Sequence, residues 1–177
     1  MKRAVMAVVV LAVLVIAATS FAGVKWTKDL ADNDDMNYVE LTCPKKSWPV
    51  GVAYIDRSSG DTVDAVTVVC RDKRGIETPT AHRDFDNTNQ AVLKLTCPSN
   101  EEFIGIYYED MSRGDAMDGV TAVCKGASGR HQVYNKDLGN SKQGVEVVKD
   151  GKERIVGIGF KDLEHSDKAD GATIITK

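Results

Sequence analysis

Apolar and polar residues alternate along several short stretches of this 177-residue chain. An alternation with a period of two residues is typical of a β-strand with one buried face. The clearest such strand occurs three times, with these inward positions: Val50, Val52 and Tyr54; Ile104, Ile106 and Tyr108; Val156, Ile158 and Phe160. No stretch after residue 22 sustains the 3.6-residue period of a long helix. The pattern therefore predicts an all-β protein.

Each of the three regions contains further strands. One has the inward positions Val39 and Leu41, Leu93 and Leu95, or Val145 and Val147. Another has Val66 and Val68, Val120 and Ala122, or Ala172 and Ile174. A weaker strand is predicted to open each region, at Lys28-Asp29-Leu30, Arg83-Asp84-Phe85 and Lys136-Asp137-Leu138. Three sheets of about four short strands are expected from these patterns.

The three regions are copies of one repeat. The segment LTCPKKSWPVGVAYIDRSSGDTVDAVTVVC recurs 54 residues later as LTCPSNEEFIGIYYEDMSRGDAMDGVTAVC, and an eroded copy follows after 52 more. A fixed period of this length indicates one supersecondary unit arranged several times. We place the repeats at about residues 23–75, 76–128 and 129–177 of a single domain, 23–177. Glycines at equivalent mid-strand positions predict a bulge or a close backbone approach: Gly51, Gly105 and Gly157.

Residues 1–22 have the features of a secretory signal peptide. Lys2 and Arg3 precede an apolar stretch over residues 4–18, and Ser20-Phe21-Ala22 supplies the small residues of a cleavage site before Gly23. The apolar stretch is shorter than the ~20 residues of a membrane-spanning helix. The mature chain is expected to be secreted, or periplasmic in a bacterium, without inserting into the membrane after signal cleavage.

The mature chain is expected to be acidic. The full sequence has 23 Lys and Arg against 26 Asp and Glu, and cleavage removes two of the basic residues. The resulting charge of about minus five makes nucleic acid an unsuitable partner.

Four cysteines occupy equivalent positions in the first two repeats: Cys43, Cys70, Cys97 and Cys124. The third repeat has Lys149 and Thr176 instead, so both positions lose cysteine together, as expected for disulfide partners. We therefore predict the bridges Cys43–Cys70 and Cys97–Cys124, each between strands of one sheet, although four cysteines allow three connectivities. Each bridge would stabilise the fold by about 3 kcal/mol. Zinc binding is the alternative, but no Cys-x-x-Cys motif accompanies these residues.

The repeat resembles that of the vitelline membrane outer layer protein I family. The resemblance rests on the Cys-Pro start, the Gly-apolar-x-aromatic strand that ends in an acidic residue, and the Gly-Asp turn before the second cysteine. It extends from about Trp26 to Lys177 and implies a β-prism, in which three four-stranded Greek-key sheets surround a pseudo-threefold axis. The family also implies a secreted protein of an extracellular layer, with an acidic cavity for sugar binding or glycosyl transfer. A β-trefoil is the alternative fold.

Carboxylates recur around the turn of each repeat. The candidate ligand-binding aspartates are Asp61, Asp64, Asp115, Asp118, Asp167 and Asp170. Aspartates at turns commonly bond nearby backbone NH groups, and this structural role competes with a ligand site. Because Ca²⁺ prefers several oxygen ligands, calcium is the one metal the cluster suggests, and no other cofactor is predicted.

Exposed aromatic residues supply the other candidate site. Trp48 lies in a predicted loop and is our first choice for a sugar-stacking platform, followed by Tyr107 and Tyr134, whereas Tyr54 and Tyr108 should pack inward. No nucleophile elbow, phosphate-binding loop or zinc-protease motif occurs, so no catalytic residue is assigned. The sequence favours a non-catalytic protein that binds carbohydrate or builds an extracellular layer, with a glycan or a layer protein as partner. A glycan-acting enzyme and a protein-interaction module without a sugar ligand are the alternatives.

Overall fold

The computed structural model describes residues 23–24, 37–56, 63–81, 92–110, 117–139, 143–163 and 168–177. This part of the chain forms twelve strands and has no helix of the length and hydrophobicity needed to cross a membrane. The strands are β1 (Gly23–Val24), β2 (Asn37–Thr42), β3 (Ser47–Asp56), β4 (Val63–Asp72), β5 (Glu77–Pro79), β6 (Val92–Thr96), β7 (Glu102–Asp110), β8 (Met117–Gly126), β9 (Gly129–Gln132), β10 (Gln143–Val148), β11 (Ile155–Leu163) and β12 (Lys168–Thr176).

The strands form three antiparallel four-stranded sheets, as the sequence predicts. The first sheet has the order β5-β4-β3-β6, the second β10-β7-β8-β9, and the third β1-β12-β11-β2. In each sheet a three-strand meander is completed by a fourth strand beside its first, which is the Greek-key arrangement. The sheets surround one apolar core, and the molecule is a pseudo-threefold β-prism. The β-trefoil alternative is set aside.

The sheets exchange strands between repeats. β5 and β6 of the second repeat pair with β4 and β3 of the first, and β9 and β10 of the third repeat pair with β8 and β7 of the second. β2 completes the same pattern by pairing with β11, at the opposite end of the chain. β1 also joins this third sheet, where Gly23 pairs with Thr176. Both ends of the described chain therefore lie in one sheet, and the ring is closed by β-sheet hydrogen bonds.

The central core follows the predicted alternation for most strands. Tyr54, Tyr108 and Phe160 are fully buried, which confirms that these aromatic rings pack inward. The predicted inward positions of β4, β8 and β12 also lie in this core: Val66, Val68, Val120, Ala122, Ala172 and Ile174. The corresponding residues of β2, β6 and β10 line it, some of them partly exposed.

The alternation is interrupted at the start of β3, β7 and β11, so the predicted inward orientation of Val50, Ile104 and Val156 is wrong. A register shift just before each mid-strand glycine inserts one extra residue. Because an extra residue reverses the side on which the preceding side chains point, Phe103 and Ile155 reach the central core instead. Val50 packs in a separate small cluster with other apolar residues. The expected bulge at the glycines is confirmed.

In the second sheet, the fourth strand is displaced from its predicted position. Lys136, Asp137 and Leu138 form a turn, and the strand lies earlier, at β9. The turn is needed because Tyr54 has a buried hydroxyl group, which donates to Asp137 Oδ2 at 2.6 Å and accepts from Asn135 Nδ2 at 2.8 Å. The other two predicted segments, residues 28–30 and 83–85, lie outside the described residues.

Both predicted disulfides form, but they join different sheets. Cys43 follows β2 of the third sheet and bonds to Cys70 in β4 of the first. Cys97 follows β6 of the first sheet and bonds to Cys124 in β8 of the second. The expectation that each bridge lies within one sheet is wrong because the strand exchange separates the two cysteines of a repeat. The junction of the second and third sheets has no bridge.

Ion pairs link the two edges of a sheet in two of the three sheets. Glu77 on β5 meets Lys94 on β6 at 3.3 Å in the first sheet. At the equivalent place in the second sheet, Arg130 on β9 meets Glu146 on β10 at 3.2 Å. Edge strands of one sheet can meet only if the sheet curls, so the pairs mark a strongly curled sheet. The acidic residue lies on β5 in the first sheet and on β10 in the second, so the two signs of charge are swapped while an ion pair still joins the edges.

We expect the variant Glu77→Gln to lower the free energy of unfolding by about 1 to 2 kcal/mol at neutral pH, because charged hydrogen bonds are lost. Glu77 accepts from Arg71 Nε at 3.0 Å and pairs with Lys94. Burial raises the pKa of Glu77, but Arg71 and Lys94 outweigh it and leave the pKa below the ordinary 4.5.

A lowered folded-state pKa means that this stabilisation is complete above pH 4.5 and fades as the pH falls through the folded-state value. Urea unfolding at pH 7 and pH 3 measures it, with Glu40→Gln, an exposed change on β2, as the control. An equal difference between wild type and Glu77→Gln at both pH values would contradict the ion-pair role.

Candidate functional site

A pocket opens at one end of the prism, where β3, β7 and β11 begin. Its volume is about 320 Å³, and equivalent positions of all three repeats line it: Trp48 and Pro49, Glu102 and Phe103, Arg154 and Ile155. These are the third and second residues before Gly51, Gly105 and Gly157. A pocket built from equivalent residues of three repeats lies on the pseudo-threefold axis. We call it the axial pocket.

The axial pocket has an apolar floor and a chemically mixed rim. Phe103 and Ile155 are buried in the central core, and they belong to the inner of the two equivalent positions. The outer position is an exposed residue in each repeat, with an indole at Trp48, a carboxylate at Glu102 and a guanidinium at Arg154. Trp48 is 37% exposed, so its ring is available at the rim. The fold is threefold here, but the chemistry is not.

The rim is charged, with more cations than anions. Lys149 forms an ion pair with Glu102, and both residues line the pocket. The carboxylate of Glu153 accepts the backbone NH of Asp150 at 3.4 Å. Lys152 and Arg154 have no side-chain hydrogen bond or ion pair to another described residue. Two ammonium or guanidinium donors therefore stand beside the indole ring.

The backbone that carries Arg154 is fixed by hydrogen bonds to Lys177. Arg154 N donates to Lys177 O at 3.1 Å, and Lys177 N donates to Arg154 O at 2.9 Å. This pair extends the pairing of β11 with β12 by one residue. The guanidinium thus projects from sheet-like backbone rather than from a loop tip.

The structure does not bring Trp48 together with the predicted aspartates that it describes. Trp48 pairs with Arg71, while Asp64 lies seven residues away along β4, roughly 23 Å at ~3.3 Å per residue. Asp64 and Asp118 are 7% and 8% exposed at the starts of β4 and β8. The side chain of Asp170, like the whole of Asp61, Asp115 and Asp167, lies outside the described residues. A ligand or calcium role for these six aspartates stays a prediction.

A group of potential metal ligands elsewhere is not a metal-binding site. Among the described residues, Glu101, Cys124 and His131 are the one group of three whose ligand atoms lie within 4.8 Å of one another. Cys124 is bound in a disulfide and has no thiolate to offer. The remaining two lie against each other, with His131 Nε2 3.2 Å from Glu101 Oε2. His131 is therefore a surface partner of a carboxylate.

A second aromatic pocket lies on the outer side of the second sheet and has a volume of about 370 Å³. Tyr107 on β7 and Tyr134 after β9 both line it, so the structure brings two of the predicted aromatic platforms together. Glu109 lies at its base and is 4% exposed. We call this the side pocket.

Hydrogen bonds orient the carboxylate of the side pocket. Tyr107 donates its hydroxyl to Glu109 Oε1 at 3.1 Å, and Gly139 N donates to Oε2 at 2.8 Å. Gly139 has φ of +101°, a conformation that suits glycine and turns its NH toward the carboxylate. Burial, followed by the hydrogen bond from Tyr107 to Glu109, raises the pKa of Tyr107. The hydroxyl is therefore protonated at neutral pH.

The Tyr107 ring lies against a glycine of the neighbouring strand. A Cβ atom on Gly144 of β10 would lie 1.9 Å from the Tyr107 hydroxyl oxygen. In the third sheet the roles are reversed, since a Cβ on Gly159 of β11 would lie 2.0 Å from the hydroxyl of Tyr38 on β2. In both sheets a tyrosine ring covers the glycine. Tyrosine and glycine are therefore interchanged at these two positions of the repeat alignment, and this exchange is a sequence signal that could have placed Tyr107 against β10.

A further cavity has different chemistry. It measures about 710 Å³ beside the Cys43–Cys70 bridge, and Lys45, Lys46 and Arg74 line it with prolines, threonines and Ile76. None of the described residues that line it is aromatic. The two aromatic pockets are therefore the better candidates for sugar stacking.

Sequence reasoning found the aromatic members of both pockets and missed their polar partners. Glu102 and Arg154 occupy the same repeat position as Trp48, a signal available in the alignment. Glu109 was one carboxylate among many, and only the fold shows that it lies beneath Tyr107.

No protein-family model matches the chain, and no curated protein matches it. Among solved structures, a prostate-specific WGA16 glycoprotein lectin matches with a TM-score of 0.54 and 12% identity over 82% of this chain and 93% of the lectin. Calystegia sepium agglutinin matches with a TM-score of 0.52 and 12% identity, over 82% of this chain and 91% of the agglutinin. The Calsepa lectin in complex with bisected glycan gives 0.51 at 12% identity, with 82% and 92% covered. At this identity the matches establish a shared β-prism fold.

Proposed function

We propose that this protein is an exported, non-catalytic carbohydrate-binding protein that stacks a sugar ring on Trp48 in the axial pocket. The observation that carries the proposal is the pocket itself, where a partly exposed indole stands over an apolar floor beside two cationic side chains. Sugar rings have apolar CH faces that pack on indole, and hydroxyl groups that bond to polar neighbours.

The mixed rim suits a ligand with different groups on its sides. Arg154 and Lys152 can donate hydrogen bonds to a ligand, and Glu153 and Glu102 can accept hydrogen bonds from it. Because Glu102 is already paired with Lys149, the two cations of Lys152 and Arg154 face one remaining carboxylate, that of Glu153. This balance favours a saccharide that carries a carboxylate or sulfate group, and an extracellular layer is where such a glycan would be met.

The fold and the export signal support this setting. The structural neighbours named above are a lectin and an agglutinin, which makes sugar binding a natural use of the same architecture. Two disulfides and a predicted signal peptide agree with an oxidising compartment outside the cytoplasm. A layer protein as partner, in place of a glycan, remains the alternative that the binding test separates.

A catalytic role is less suited to these pockets. Glycoside hydrolysis uses two carboxyl groups about 5 to 9 Å apart on either side of the scissile bond. The side pocket has one carboxylate among its lining residues. In the axial pocket, Glu102 is paired with Lys149 and Glu153 accepts a backbone NH, so both carboxylates already have structural partners.

We expect a glycan array probed with residues 23–177 to give selective binding to acidic glycans that falls about five- to thirtyfold in Trp48→Ala, since stacking contributes on the order of 1 to 2 kcal/mol. Val92→Ala, which trims an exposed apolar side chain on β6, is the matched control and should bind as wild type. Binding that survives in Trp48→Ala would remove the axial pocket from the proposal. An array without signal would favour the protein-interaction alternative. Repeating it with calcium and with chelator tests the aspartate clusters.

A further inference from the structure

We infer that the glycan bound at the axial pocket is an acidic chain rather than a single sugar, and that its next units lie in a neighbouring pocket on the second sheet. This ligand class rests on the proposed function and extends it from one sugar ring to several. Three observations carry it: a second pocket that shares two residues with the axial pocket, a surplus of cations along both pockets, and fixed backbone beneath those cations.

The second pocket has a volume of about 430 Å³ and lies beside the axial pocket. Glu102 and Lys149 line both pockets, so the two pockets are contiguous and this ion pair lies at their border. The other lining residues are Ile104, Lys125, Arg130, Val148 and Gly151. We call it the lateral pocket. A ligand longer than one ring can therefore extend from the axial pocket into the lateral pocket along the protein surface.

The lateral pocket lies on the outer face of the second sheet. Val147 and Cys124 face the central core, so the residues that follow them, Val148 and Lys125, face outward. Ile104 also lines the pocket and does not belong to the central core. Val148 and Ile104 supply apolar surface for the CH face of a sugar, and charged side chains surround them.

Cations outnumber carboxylates along the two pockets. The linings together contain five Lys and Arg side chains and two carboxylates: Lys125, Arg130, Lys149, Lys152, Arg154, Glu102 and Glu153. Glu146, outside both linings, pairs with Arg130, and a surplus of cations still remains. The whole chain, by contrast, has a formal net charge of -3. A local surplus of positive charge attracts a ligand with several anionic groups, whereas a neutral sugar chain gains nothing from it.

The cations of the lateral pocket stand on fixed backbone. Lys125 on β8 is paired with Glu102 on β7 and with Arg130 on β9. Lys149 N donates to Ile104 O at 2.9 Å, which continues the pairing of β10 with β7 by one residue. Because the backbone is held by the sheet before the ligand arrives, binding has to order side chains only.

Lys125 is the cation that distinguishes the lateral pocket from the axial pocket. Arg130 is already paired with Glu146, and Lys149 with Glu102. Lys125 is exposed, and its ammonium group has no ion pair with any residue that the structure describes. Removal of its charge therefore weakens the attraction for an anionic ligand without leaving a carboxylate of the protein unpaired.

The test is titration calorimetry of residues 23–177 with disaccharides and hexasaccharides of hyaluronan, chondroitin sulfate and oligogalacturonate. In at least one series we expect the hexasaccharide to bind wild type about five- to thirtyfold more tightly than the disaccharide, because a second anionic unit meets a second cationic pocket. Lys125→Gln should lose most of this gain and keep the disaccharide affinity. Lys73→Gln, the same change at an exposed lysine outside both pockets, should keep the gain.

Three outcomes overturn the inference. They are equal affinities for the two lengths in every series, a gain that Lys125→Gln retains, and the absence of binding in every series. Unfolding of Lys125→Gln at the wild-type Tm excludes misfolding as the cause of a loss. An oligothymidylate of six nucleotides is the polyanion control, and binding as tight as that of the best hexasaccharide would also overturn an acidic glycan as the ligand.

Trp48→Ala separates this inference from the proposed function. It should weaken both lengths by the same factor and leave their ratio unchanged, because the indole belongs to the axial pocket alone. Disaccharide binding that depends on Trp48, without a gain for the hexasaccharide, removes the lateral pocket and leaves the proposed function intact. A gain that depends on Lys125, with neither length affected by Trp48→Ala, overturns stacking in the axial pocket instead.

Discussion

Replacement of Gly105 by alanine is expected to lower the free energy of unfolding by more than about 3 kcal/mol, or to prevent folding altogether. A Cβ atom at this position would lie 2.2 Å from the carbonyl oxygen of Val147 and 2.8 Å from the Cα of Val148. Both atoms belong to the backbone of β10, which is held by its pairing with β7 and cannot withdraw without losing that pairing. The clash would therefore push β10, which belongs to the third repeat, away from β7 of the second sheet.

Gly75→Ala is the control for this experiment. Gly75 has φ of +83° but open space around its Cβ position, so alanine there costs only the strain of the left-handed backbone, about 1 kcal/mol. Urea unfolding followed by circular dichroism measures both variants. If Gly105→Ala is no less stable than Gly75→Ala, the close approach of β7 and β10 is not the reason for this glycine. The same contrast applies to Gly51 and Gly157, where a Cβ would lie 2.1 and 2.2 Å from a carbonyl oxygen.

Removal of one disulfide, in the double variant Cys97→Ser and Cys124→Ser, is expected to cost about 3 to 4 kcal/mol and to lower Tm by roughly 10 °C. The bridge closes a loop across 27 residues of sequence separation and joins the first sheet to the second. It therefore limits the unfolded chain and also holds two sheets of the ring together. For a domain with a stability of about 5 to 15 kcal/mol, this is a large fraction.

The matching variant, Cys43→Ser with Cys70→Ser, should lose a similar amount because it has the same separation and joins the third sheet to the first. Calorimetry of each double variant gives Tm, and peptide mapping without reduction verifies the connectivity. A double variant that unfolds at the wild-type Tm would show that sheet pairing alone holds that junction. The third junction is the internal comparison, since Lys149 and Thr176 stand there in place of cysteines.

Most of the fold could be predicted from the repeat. Alternation located the strands that carry Tyr54, Tyr108 and Phe160, and the joint loss of two cysteines in the third repeat identified both bridges. The resemblance to the vitelline membrane outer layer protein I family led to the β-prism. Its fold is confirmed, while membership of that family stays a prediction.

The candidate site could be predicted only in part. Trp48, Tyr107 and Tyr134 were identifiable as aromatic residues outside the inward alternation, and all three line pockets. Their partners were not identifiable, because Arg154 is distant in sequence from Trp48, and Glu109 is one of many carboxylates. The aspartates were candidates because they recur in each repeat. Asp64, however, lies at the opposite end of β4 from Arg71, the residue that pairs with Trp48.

The sequence by itself determined the three main strands of each repeat, most of the side chains that face the apolar core, and which positions correspond among the repeats. These properties follow from local alternation and internal similarity, which each stretch of chain carries with it. Only the tertiary structure decided that β2, β6 and β10 cross into neighbouring sheets, that the disulfides join sheets, and that three strand starts enclose one pocket. The physical reason is that the edge strands of a sheet have backbone NH and C=O groups that still need partners. Which strand supplies those partners depends on how the three sheets close into a ring.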